Sequence, residues 1–282
     1  MKMFFKDKGM FFTSLITPII LLVLFVTFLA KIYKQSLPAG LPERIQYGIV
    51  NGQLFSSLFA VSCVTVAFCA NMLMVSDKVN GTTKDIYITP TKKSTIAMSY
   101  YFASLFATLL VALVGTVACF IYIGATGWYM SFGDVVLIFI DLFMLSLFGT
   151  ALSSIINCFL SSQGQISAVG TIVSAGYGFI CGAYMPISQM GTVMQNVLAF
   201  LPGTYGTSLL KYNALNGVFR EMSKQGISAD VISGIKDNID CNLYFLGNQV
   251  SIGPMYGIMI GSIIYWFIGF GLMYGTSVGG VI

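Results

Sequence analysis

The sequence predicts an all-α membrane protein with six transmembrane helices and a re-entrant helical hairpin after the fifth. Three observations predict it. Only 9% of the residues are charged, where a soluble domain carries about a quarter. Mean hydropathy is +0.85. Apolar stretches long enough to cross roughly 30 Å of hydrocarbon, about 20 residues each, recur along the 282 residues.

The first span covers about 11–30, FFTSLITPIILLVLFVTFLA. It exceeds a signal-peptide core and no small-x-small cleavage site follows, so a retained span is expected. The second, about 49–75, carries Ser56, Ser57, Ser62, Thr65 and Asn71 within its apolar run. The third covers about 96–123 and the fourth about 135–159. The fifth, about 166–184, stops ahead of Pro186. The next piece, MGTVMQNVLAFLP, contributes an apolar run over about 190–201. That run is too short to cross, and a re-entrant helix bounded by Pro186, Gly191 and Pro202 is expected. The last span covers about 255–274, and the chain reads as one membrane domain over 1–282.

Orientation follows from lysine and arginine in short loops. With the N-terminus inside, Lys2, Lys6, Lys8, Lys78, Lys84, Lys92 and Lys93 all face the cytoplasm, against Lys31, Lys34 and Arg44 in the short outside loop. Both termini are expected on the cytoplasmic side. The segment of about 203–253 then lies outside and holds Cys241, which has no evident disulfide partner. Within it, Leu209, Leu210, Asn213, Leu215, Val218, Phe219 and Met222 fall largely at helical spacing, with Lys211, Arg220 and Lys224 elsewhere, which predicts an amphipathic helix lying on the outer leaflet.

Several chemistries are excluded. The chain has no histidine, which removes histidine metal sites and Ser-His or Cys-His nucleophiles. It has no G-x-x-x-x-G-K-[ST] phosphate loop, so nucleotide hydrolysis is not expected in this chain. No catalytic, cofactor or metal residue is assigned.

One segment contradicts the apolar background. SDKVNGTTKDIYITPTKKS, residues 76–94, holds four lysines and two aspartates. Topology explains Lys92 and Lys93, because lysines retained inside orient helices, but acids contribute little to that rule. Asn80-Gly81 suits a tight reversal, Thr82 or Thr83 can cap a short helix, and Thr89-Pro90 ends it. The segment, with Asp77, Lys78, Gly81, Thr82, Lys84, Asp85, Thr89 and Pro90, reads as a docking surface at the inner face.

This loop resembles the first cytoplasmic loop of type-2 permeases of ATP-binding cassette exporters. The stretch GYGFICGAYMPISQMGTVMQNVLAFLPGTYGTSLLKYNAL, residues 176–215, is similar to that family's glycine-rich fifth span, G-x-x-x-P break, re-entrant hairpin and outer segment. The opening MKMFFKDKGMFF resembles the family's lead into the first span, though only about ten residues stand where an amphipathic interface helix is usual. The resemblance implies the type-2 exporter fold and a multi-pass protein of the bacterial plasma membrane. It implies a dimer with a second permease copy, surrounded by membrane lipids, with no nucleic acid. A separate ATPase subunit would bind ATP and Mg and receive the 76–94 loop as its coupling helix. The implied role is export, with drug-like, peptide or lipid-like cargo and polysaccharide both compatible.

Inside the spans, Ser62, Thr65 and Asn71 either line a path or bond across helices. Asp141 lies seven residues after Asp134 and about 10 Å deeper on nearly the same face. It serves transport or simply sits near a helix N-terminus that favours negative charge. Gly178 and Gly182, in register with Ser174, serve close packing or a dimer seam. An ion-coupled transporter is the rival reading and would want more intramembrane charge.

Overall fold

The computed structural model describes residues 19–20, 22–23, 25–38, 40–83, 88 and 90–275. Half of the predicted first span therefore lies outside the described residues. Its last part is a π-helical turn, Phe25–Leu29, that runs into helix α1, Ala30–Ser36.

Helix α2, Glu43–Val79, is the axis of the molecule. Helices α3 (Lys93–Thr126), α4 (Phe132–Cys158), α5 (Gln163–Ile180) and α7 (Pro202–Lys224) all pack on it. A seven-residue helix, α6 (Thr192–Leu198), stands between α5 and α7. After α7 come α8 (Ala229–Asn238), an antiparallel hairpin of β1 (Leu243–Phe245) and β2 (Asn248–Val250), and α9 (Ile252–Gly275). The bundle thus has a loop end, at the turn after Val79, and a cap end formed by α6, α8 and the hairpin.

By length and composition, α2, α3, α4 and residues Ile252–Met273 of α9 can each cross a membrane. Lipid offers no hydrophobic drive between helices, so packing and hydrogen bonds must hold them. Both are visible. A Cβ on Gly149 of α4 would stand 2.9 Å from the Cys63 carbonyl oxygen and 2.9 Å from Val64 Cα. Two backbones therefore touch there, and only glycine permits it. The Ser104 hydroxyl of α3 donates to the Ala67 carbonyl of α2 at 3.2 Å, whereas those of Ser56, Ser62 and Thr65 bond back to carbonyls of their own helix at 2.9, 2.6 and 3.1 Å.

Local sequence sets the boundaries. Ser131 and Asp134 form a capping box that starts α4, and Ser162 and Gln165 form another that starts α5. Gly182, at φ +72°, ends the fifth helical segment, and Ala183 and Tyr184 donate their amides back to the Gly178 carbonyl at 2.9 and 3.0 Å. The helix therefore stops at Ile180, short of the expected 184. Pro186 precedes a single 3₁₀ turn, Ile187–Gln189, and Pro202 occupies the first turn of α7.

The outer amphipathic helix is the main correction. Residues 202–224 are helical, but Leu209, Leu210, Lys211, Asn213, Leu215, Val218, Phe219 and Met222 are all buried. The helix packs against α2, α4 and α9 instead of resting on a leaflet.

Candidate functional site

Three carboxylates hold α7, and two of them come from the stripe on α4. At its start, Asp134 accepts from Ser131, from Asn216 Nδ2 at 3.0 Å and from Arg220 Nη1 at 3.1 Å. The Arg220 guanidinium also bonds the second oxygen of Asp134. That pairing raises the Arg220 pKa above its ordinary value, against partial desolvation. Two turns deeper, the buried Asp141 accepts from Asn213 Nδ2 at 2.6 Å and from the Tyr256 hydroxyl at 2.7 Å. It thereby joins α4, α7 and α9 with two neutral donors.

The third carboxylate is Asp240, whose own backbone is left-handed at φ +59°. Its side chain accepts from the Ile187 amide at 2.5 Å and the Ser188 amide at 2.9 Å. It also lies 3.6 Å from Lys211 Nζ. Lys211 is 0% exposed and donates to the Gly182 carbonyl at 2.8 Å. Ser208 Oγ donates to the Asp240 carbonyl at 2.7 Å. The break between α5 and α6 is thus clamped onto α7 and the end of α8.

The predicted glycines take part in this architecture. A side chain on Gly178 would collide with the Tyr184 ring, and one on Gly182 would meet Ile187 and Asp240. Gly191, at φ +80°, precedes α6. Cys241 is buried here, and burial pushes its thiol up to about 12.

At the loop end, the predicted docking residues divide. Because α2 continues to Val79, Asp77 still faces the bundle: it is buried and accepts from the Tyr100 hydroxyl of α3 at 2.6 Å. Lys78 Nζ donates to the Leu160 carbonyl, just past α4, at 3.2 Å. These two residues brace the turn and do not present an open charged surface. Gly81 turns the chain at φ +80°, Thr82 and Pro90 are exposed, and Ile88 is 84% exposed. Lys84, Asp85 and Thr89 lie outside the described residues.

In the bundle interior, Asn71 Nδ2 donates to Ser153 Oγ at 3.0 Å and Ser154 Oγ at 2.6 Å, tying α2 to α4. Ser62 and Thr65 are buried and spent on their own helix. Among the described residues no group of three or more histidine, cysteine or acidic side chains forms a metal-ligand set. Sequence reading missed Lys211, Asn213, Asn216, Tyr256 and Asp240. The run Asn213, Asn216, Arg220, polar at helical spacing, was the available signal for a partner to the two acids of α4.

The family model for ABC-2 type transporters matches residues 1–215. This stretch takes in α1 to α6, the loop after Val79, the clamped break and the first half of α7. No curated protein and no solved structure matches the chain. A membrane-embedded bundle matched over more than half its length identifies the family, and the chain belongs to the ABC-2 type transporters.

Proposed function

We propose that this chain is the membrane subunit of an ATP-driven exporter, working as a pair with a separate ATPase docked at the loop end. The observation that carries the reading is mechanical. The loop of 76–94 is attached to the helix on which the bundle packs, and Asp77 and Lys78 brace its root against α3 and the end of α4. A displacement imposed on such a loop passes into the bundle instead of being absorbed by a flexible link.

In this reading six spans cross the membrane, with the 11–30 segment first and α5 fifth, and α6 turns back without crossing. Both termini face the cytoplasm. The second copy meets the exposed side of α5, where Gly164, Ser167, Ala168, Thr171 and Ala175 offer small side chains that allow close approach. The scarcity of charge along the predicted spans, where Asp141 is the acid that lies well inside, favours an amphipathic cargo over an ionic one.

The test uses two residues of the loop. Ile88→Asp removes an apolar anchor whose burial in a cleft would contribute about 1.5–3 kcal/mol, or roughly ten- to a hundredfold in affinity. Asp85→Lys reverses a charge in the same loop. Both variants should insert normally yet lose co-purification with the ATPase and substrate-stimulated ATP turnover in liposomes. Lys92→Gln with Lys93→Gln should instead misorient or express poorly. If Ile88→Asp and Asp85→Lys both capture and stimulate the ATPase like the parent, the loop is a topological anchor only.

A further inference from the structure

The charges of the cap end are unevenly distributed. From residue 142 to residue 210 the sequence contains no charged residue, and none follows Asp240. The acids and bases of the cap therefore belong to α7, α8, Asp240 just after it and the chain from α1 to the start of α2. The hairpin and α6 have none.

The uncharged half of the cap is also strongly apolar at its surface. On α6 and just after it, Val193 is 78% exposed and Phe200 72%, with Met194, Val197 and Leu201 exposed beside them. The hairpin joins the same patch. Phe245 meets the Phe200 ring edge to face at 5.0 Å. The tip residue Leu246 is 64% exposed.

Two details at the tip separate lipid from water as its surroundings. The turn residues Leu246 and Gly247 both have positive φ, +50° and +80°. A two-residue turn of this kind favours asparagine or aspartate followed by glycine. Here the first position is leucine, which accepts a disfavoured backbone and gains nothing from water. The Leu246 amide, moreover, is bonded by Asn196 Oδ1 at 3.0 Å. An aqueous tip has water for that amide, whereas a tip in hydrocarbon must satisfy it within the protein.

We propose that the hairpin tip and the exposed face of α6 form one lipid anchor, with Leu246, Phe200, Val197 and Val193 seated among the acyl chains of the leaflet at the cap end. Continuity supports this occupant. Only Ser251 separates β2 from α9, whose apolar window is just 17% buried within the chain, so the patch continues into a surface already suited to lipid. The charged residues of α7 and α8, such as Lys224 and Asp230, occupy the other half and stay in water. The anchor fixes the depth of α6 and, through Asn196, couples α6 to the hairpin. Its hairpin part, at Phe245 and Leu246, lies beyond the stretch shared with the family.

The test is spin-label accessibility on the full chain in liposomes. Labels are placed at Leu246→Cys, Val193→Cys and, as the aqueous reference, Lys224→Cys, with the unsubstituted protein measuring background from the native cysteines. Oxygen partitions into hydrocarbon and a charged nickel chelate does not. The oxygen-to-nickel accessibility ratio at 246 and 193 should exceed that at 224. A ratio equal to that at 224 overturns the proposal by placing the patch in water. Low access to both reagents also overturns it, because a second copy or another protein then covers the patch. Two separate labelled positions keep the test decisive if one substitution disturbs the fold.

Discussion

Lys211→Met should loosen the cap end measurably. The lysine is fully buried, 3.6 Å from Asp240 and 2.8 Å from the Gly182 carbonyl. Removing one partner of a buried ion pair costs about 3–5 kcal/mol, because the other charge is left uncompensated. Asp240 keeps the amides of Ile187 and Ser188, which places the loss at the lower end, about 3 kcal/mol. That is roughly a hundredfold in the opening equilibrium, and a midpoint drop of about 6–10 °C for a chain of this size. The assay is a thermal scan in detergent with a maleimide dye that fluoresces on reaching the buried Cys181 and Cys241. Adding Asp240→Asn removes the stranded charge while tolerating the left-handed backbone, and the double variant should recover at least half of the loss. The reasoning is refuted if Lys211→Met melts with the parent, or if the double variant is no better than the single one.

Three further outcomes follow from the geometry. Gly149→Leu forces a side chain into the Cys63 carbonyl and the Val64 backbone; overpacking of this kind costs about 1–3 kcal/mol or more, so the variant should fold poorly in the same thermal scan, while Gly253→Leu, open to its surroundings, should not. Tyr256→Phe removes the hydroxyl from Asp141; interhelical bonds in membranes average about 0.6 kcal/mol, but a carboxylate acceptor places this one nearer 1–2 kcal/mol, readable as a lower midpoint of a few degrees. The Cys241 thiol is raised from 9.0 to about 12 by burial, opposed by Lys211. Its folded pKa therefore exceeds its unfolded one, so its stabilising contribution is intact below about pH 9 and is lost as pH rises toward 12; Cys241→Ala should flatten that alkaline loss, and an impermeant maleimide should label Lys224→Cys but not Cys241 in the native protein.

Much of the fold was legible because its signals are local. The reversal at Asn80-Gly81 and the stop before Pro186 both depend on residues within a turn of one another. The Asp134 and Asp141 stripe was legible too, as two acids on one helix face. What they hold was not, since Asn213 and Tyr256 lie 72 and 115 residues away from Asp141. For the same reason α7 was placed on a leaflet. Periodicity separates polar from apolar positions, but it cannot say whether Lys211 and Asn213 face water or a buried carboxylate. Asp77 misled in the opposite sense, because its charge suggested a free surface while the helix carried it inward to Tyr100.

The order in which these partners are synthesised sets a schedule for assembly. Asp141 leaves the ribosome 72 residues ahead of Asn213 and 115 ahead of Tyr256. At about 5–20 residues per second, it waits roughly 4–14 s for the first and 6–23 s for the second. During that interval the fourth span carries an intramembrane carboxylate with none of its final donors. The span must therefore be held at the insertion machinery, or shielded by α2 and α3, until α7 and α9 arrive. Shortening the chain before Tyr256 would leave that wait unresolved, and such truncated nascent chains should be the ones the cell's membrane quality control removes first.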